Sequence, residues 1–132
     1  MPRLLRSTPY FPVEDVLESA AYYRDVFGFA TEYIGGEPPL FAMCARDGFA
    51  VMLRRVDDAE RIRPVELQGG TWDAYFWVDD AKALHTELAG RGALVLYGPV
   101  KQVYDMLEFA VRDADGHVLG FGEAVPPQVS VE

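Results

Sequence analysis

Val13-Glu14-Asp15-Val16-Leu17-Glu18-Ser19-Ala20-Ala21-Tyr22-Tyr23-Arg24-Asp25-Val26-Phe27-Gly28 is the stretch on which the fold turns. Asp15 followed three residues later by Glu18 is a capping box, able to satisfy the free amides at a helix start. Val16, Ala20, Tyr23 and Phe27 then recur at helical spacing, and Gly28 supplies the stop. Upstream, residues 4–13 read as an extended segment that Pro9 and Pro12 restrict to an edge or an irregular strand. Downstream come three strand candidates, residues 29–34, 40–45 and 49–55, separated by Gly35-Gly36 and Asp47-Gly48. The Asp-Gly pair between two apolar runs is a hairpin signal. This half therefore reads β, α, β, β, β.

Residues 57–70 are polar, hold Pro64 and end in Gly69-Gly70, which marks a connection. Beyond it the order returns: a strand at 72–78, a helix capped by Asp80 with Ala81, Leu84 and Leu88 on one face, and strands at 93–97, 104–112 and 117–123. Val78-Asp79-Asp80 matches Val13-Glu14-Asp15, and Asp115-Gly116 matches Asp47-Gly48. A spacing of about 65 residues is too long for a solenoid repeat. The expectation is an α+β fold of two tandem βαβββ modules, residues 4–56 and 71–124, in a single domain over 1–125, with a tail at 126–132. Each sheet buries one face under its helix, and a concave half-barrel cleft between the modules is the expected use of the other face.

The 132 residues carry a net charge of −9, with 12 Lys and Arg against 21 Asp and Glu. Such a balance disfavours non-specific nucleic-acid binding and anionic membrane surfaces, and suits a cationic partner. The single Cys44 cannot pair within the chain, which fits a reducing, cytoplasmic setting, and its apolar surroundings suit a core residue. No apolar run reaches the length of a membrane span. Gly69-Gly70 and Gly120-Phe121-Gly122 lack the spacing of a phosphate loop.

Alternation along the strands selects candidate site residues. Asp73, Tyr75 and Trp77 share one face of their strand, and Met106 and Glu108 share one face of theirs, while Ala74, Phe76, Val78, Leu107, Phe109 and Val111 suit packing under a helix. Asp73 and Glu108 together would give the cleft an acidic wall for a cationic or hydrogen-bond-donating ligand. Alternatively each pairs with Arg54, Arg55 or Arg112, or meets solvent. Acid–base work by the two carboxylates is a third reading, and it requires one of them to have a raised pKa. Trp72, Tyr75, Trp77, Tyr104, Phe41 and Met43 offer aromatic and thioether surfaces on which planar or cationic groups stack, and alternation favours Tyr75, Trp77 and Tyr104 among them.

Thr8-Pro9-Tyr10-Phe11-Pro12-Val13-Glu14-Asp15, the run Ala21-Tyr22-Tyr23-Arg24-Asp25-Val26-Phe27-Gly28-Phe29, and the close Phe109-Ala110-Val111-Arg112-Asp113-Ala114-Asp115-Gly116-His117-Val118-Leu119 resemble the vicinal oxygen chelate superfamily, most of all its bleomycin-resistance branch. The resemblance implies a homodimer with ligand clefts at or near the subunit interface. It also implies a divalent metal held by one residue from each of four strands. Those positions fall on Thr8, Leu53, Asp73 and Gly120, of which only Asp73 is a ligand of the expected kind, whereas a catalytic metal site normally needs three. The expectation is thus a binding protein without metal or other cofactor. It would sequester an apolar, planar or cationic small molecule such as an antibiotic through Asp73, Tyr75, Trp77, Tyr104, Met106, Glu108, Leu53, Phe41 and Gly120. The alternative is a lyase or other enzyme of the superfamily, metal-free or with an atypical metal site.

Overall fold

The first helix, α1 (Val16–Phe27), starts where its spacing predicts: the Asp15 side chain accepts from the Glu18 amide, and Gly28 closes the helix in the left-handed region. The structure, a computed structural model, describes residues 1–127, so residues 128–132 of the expected tail lie outside the described residues. Among the described residues eight strands accompany two helices: β1 (Tyr10–Val13), α1, β2 (Ala30–Gly35), β3 (Phe41–Arg46), β4 (Phe49–Arg55), β5 (Ala74–Trp77), α2 (Ala81–Gly90), β6 (Leu94–Lys101), β7 (Met106–Arg112) and β8 (Val118–Ala124). Two short 3-10 turns, Ala59–Arg61 and Val65–Gln68, interrupt the connection read as irregular. Asp47 and Gly48 both have positive φ, the geometry a two-residue hairpin between β3 and β4 demands.

The strands form two four-stranded sheets, in the orders β1-β4-β3-β2 and β5-β8-β7-β6, each with a parallel pair at one edge and neither closed into a barrel. The registers repeat. Tyr10 pairs with Met52 as Tyr75 pairs with Gly120, and Tyr33 follows a bulge opposite Met43 as Tyr97 follows a bulge opposite Ala110. This is the tandem βαβββ architecture that the repeated motifs predict.

The junction of the modules differs from the expected one. One apolar core runs through both, joining Phe11, Tyr23, Phe27 and Leu53 of the first to Leu88, Phe109 and Phe121 of the second. Phe29 meets Phe76 edge-on at 6.1 Å, and Arg46 forks onto Glu87 with two bonds of 2.7 Å. The modules therefore meet through their helix-covered sides, and the cleft expected between them is replaced by packed core. Each sheet keeps its other face for a different use. Two depressions of about 470 and about 520 Å³ do lie near the junction, lined by residues such as Glu14, Ala114 and Asp115.

The turn between β7 and β8 locks this junction. Asp113 is buried and accepts from the Tyr23 hydroxyl at 2.7 Å, the His117 and Asp115 amides at 2.8 and 2.9 Å, and the His117 ring Nδ1 at 3.0 Å. Because a carboxylate only accepts, Nδ1 carries the ring proton. The imidazole also stacks on Phe11 at 4.4 Å, with the planes within 6°. Burial and the neighbouring Asp113 charge hold the Tyr23 phenol well above its ordinary pKa, so it stays a donor. Among the described residues no helix is long and apolar enough to cross a membrane.

Candidate functional site

Alternation on β5 and β7 turns Tyr75, Met106 and Glu108 away from the helix-covered side, while Ala74, Phe76, Leu107, Phe109 and Val111 pack into the core. On that uncovered face Glu108 is the centre of a polar group. Its side chain is 1 % exposed, and four donors converge on it. Tyr75 and Tyr104 hydroxyls donate to Oε1 at 2.9 and 2.7 Å; the Tyr97 hydroxyl and the Gln102 amide donate to Oε2 at 2.6 and 3.3 Å. Trp72 extends the chain of bonds, donating its indole N–H to the Tyr97 oxygen at 2.9 Å. No Lys, Arg or His of the described residues forms an ion pair with Glu108. A buried carboxylate is tolerated only if its lone pairs are met, and here phenols meet them in place of a cation.

Aromatic rings build the rest of the face. Trp72, Tyr75 and Trp77 follow one another edge to face at 4.7 and 5.1 Å, and Trp77 is 74 % exposed. The rings lie close because β8 carries glycine beneath them. A Cβ at Gly120 would come within 2.6 Å of the Trp72 indole, and one at Gly122 would collide with the Tyr75 hydroxyl and sit 2.7 Å from the Met106 methyl. Gly120 thus provides the floor on which Trp72 and Tyr75 lie.

Several candidates fall elsewhere. Asp73 lies just before β5, and both its oxygens are engaged by backbone: Oδ1 accepts from the Val65 amide at 2.9 Å and Oδ2 from the Val118 amide at 2.8 Å. It fastens the connection to β8 and is not an acidic wall of the face. Leu53 is fully buried in the core under α1; β4 is apolar on both sides, so alternation alone could not orient it, and Met52 and Arg54 hold the uncovered face instead. Phe41 does lie on an uncovered face, but that of the first sheet. There it meets Tyr10 and Tyr33 at 6.3 and 6.0 Å, and Arg54 lies over the Tyr10 ring. Phe41 pairs with Arg54 as Glu108 pairs with Gly122, so it holds in the first module the position of Glu108 in the second.

Tyr97, Trp72 and Gln102 complete the group and were not singled out by alternation. A β-bulge between Val95 and Tyr97 shifts the parity of β6, and Trp72 and Gln102 precede and follow strands. The signal that points to Tyr97 is the repeat itself, which matches it to Tyr33.

The expected metal positions do not suit an ion. The Thr8 hydroxyl donates to the Ala50 carbonyl at 3.1 Å, Leu53 is core, Asp73 is saturated by amides and Gly120 has no side chain. Among the described residues no three His, Cys, Asp or Glu side chains are grouped so as to hold a metal.

The tyrosines give the group a measurable signature. Burial first, then the hydrogen bond and charge of Glu108, raise the Tyr75 and Tyr97 phenols well above their ordinary value and push Tyr104 up to about 12. A pKa raised in the folded state contributes stability that is complete below the unfolded value near 10 and is lost as pH climbs through the folded one. Stability is therefore expected to hold up to about pH 10 and to fall between about 10 and 12. Absorbance at the phenolate band should show tyrosines titrating late in the folded protein, and normal titration of all of them would contradict the bonding described.

A sequence model of the Glyoxalase/Bleomycin resistance protein/Dioxygenase superfamily matches residues 7–121. Among solved structures, TioX from Micromonospora sp. ML1 superposes with a TM-score of 0.73 at 20 % identity, covering 92 % of this chain and 99 % of that one. The bleomycin-binding protein from bleomycin-producing Streptomyces verticillus, complexed with copper(II)-bleomycin, gives 0.69 at 22 % identity, covering 96 % and 100 %. A glyoxalase-related enzyme from Clostridium phytofermentans gives 0.72 at 12 % identity, covering 94 % and 98 %. A search of curated proteins returned no match. The paired modules, their repeated registers and a sequence match spanning both make this chain a member of the glyoxalase/bleomycin resistance protein/dioxygenase superfamily.

Proposed function

We propose that the protein binds, without metal and without converting it, an aromatic small molecule bearing a positive charge, such as a cationic antibiotic. The observation that carries this reading is Glu108, a buried carboxylate with three phenols and an amide around it and no ion pair to a cation among the described residues. A ligand cation at this face gains the attraction that the fold leaves unmatched, and Trp77 and Tyr75 offer it aromatic surface. The bleomycin-binding protein from Streptomyces verticillus lends the reading support by similarity, since that protein is seen with an antibiotic on the same fold. The face is open in one chain. A second copy laid over it would enclose the ligand, so a homodimer belongs to the proposal.

Thermal unfolding with a panel of cationic aromatics, bleomycin among them, tests the reading. A ligand at a hundred times its dissociation constant should stabilise the protein by about 2.7 kcal/mol. Glu108→Gln keeps the shape and removes the charge, and should weaken that ligand by roughly tenfold to a hundredfold. Light scattering should give twice the chain mass. The reading fails if no cationic aromatic stabilises the protein, or if Glu108→Gln binds as tightly as the native chain.

A further inference from the structure

We infer that the ligand's positive group is met by a phenolic oxygen, that of Tyr104, and not by the Glu108 carboxylate, so that the site selects cations carrying N–H. The inference rests on the binding reading above and specifies its chemistry. A carboxylate offers about four acceptor positions. Four donors already use them, Tyr75 and Tyr104 on Oε1 and Tyr97 and Gln102 on Oε2, and the side chain is 1 % exposed. A cation cannot bond Glu108 directly without displacing one of these.

The phenols differ in what they can still accept. The Tyr97 oxygen already receives the Trp72 indole N–H. The Tyr75 hydroxyl lies against the β8 backbone, in the space a Cβ at Gly122 would need. Tyr104 is different: it stands on the turn between β6 and β7, is 50 % exposed, and among the described residues receives no hydrogen bond at its oxygen. Donating its own proton to a carboxylate polarises that oxygen and strengthens it as an acceptor. The raised pKa keeps the proton in place at neutral pH. An ammonium or amidinium N–H can therefore bond the Tyr104 oxygen with the Glu108 charge directly behind it. A quaternary ammonium of the same charge feels the field and has no proton to offer.

Two probes separate these cases: benzylammonium and benzyltrimethylammonium, titrated against the fluorescence of Trp72 and Trp77 in the native protein and in Tyr104→Phe. The quaternary ion is the more weakly hydrated, so hydration alone would favour it, and a preference for the primary amine reports a bond. The native protein should prefer benzylammonium by about tenfold to a hundredfold. In Tyr104→Phe, whose unfolding midpoint confirms that it folds, the gap should close. Equal affinities in the native protein would overturn the inference and leave the binding reading standing. A preference that survives in Tyr104→Phe would overturn it as well. If neither cation binds, the binding reading falls, and this inference with it.

Discussion

Replacing Asp113 by alanine is expected to cost about 3–5 kcal/mol, the range for breaking a buried charged network by removing one partner. The change strands the Tyr23 hydroxyl, the His117 ring N–H and the His117 amide in the buried interior, and leaves the half-buried Asp115 amide without its acceptor. For a chain of this length that corresponds to a fall in melting temperature of roughly 10–20 °C. Asp113→Asn keeps one acceptor oxygen and should recover part of the loss. Tyr23→Phe removes a single bond and should cost about 1 kcal/mol. Urea unfolding of the three variants checks the order, and a loss below about 1 kcal/mol for Asp113→Ala would show that the turn does not hold the modules together.

Gly98→Ala is expected to be nearly as damaging, at about 2–5 kcal/mol, for a different reason. Gly98 has φ +84, where an L side chain is strained, and its added Cβ would run into the Glu108 carbonyl oxygen and come within 2.9 Å of the Phe109 Cα. Backbone cannot rotate out of the way as a long side chain can. Relief requires β6 to move off β7, and Tyr97, one residue earlier, moves with it and loses Glu108. Gly48→Ala is the control. Gly48 also has positive φ, but nothing lies within 4 Å of the added methyl, so the cost should stay near 1–2 kcal/mol. Urea unfolding compares the two, and Trp72 emission reports whether its bond to Tyr97 has been disturbed. If Gly98→Ala is no worse than Gly48→Ala, the close approach of β6 to β7 is not a constraint on the fold.

How far the sequence alone reached depends on which physics set each position. Local rules sufficed for Asp15, Asp80, Gly28 and Asp47-Gly48, because capping and turn geometry are decided within a few residues. Alternation found Tyr75, Met106 and Glu108 because β5 and β7 are regular where these residues stand. It misled at Asp73, where the strand has not yet begun, while Leu53, chosen through the family's metal positions, is a core residue of β4. Alternation passed over Tyr97 beyond a bulge. The placement of the open faces was the least legible feature. It follows from how two finished modules pack, and no spacing within either module encodes that.

The bond from Tyr23 to Asp113 also bears on how the protein is made, because its partners are 90 residues apart in the chain. At roughly 5–20 residues per second, synthesis leaves Tyr23 without its acceptor for about 5–20 seconds. During that time Phe11, Tyr23 and Leu53 have emerged, but the strands that complete their core have not. Until the second half follows, the apolar side chains of the nascent first half lack the partners that cover them in the finished core.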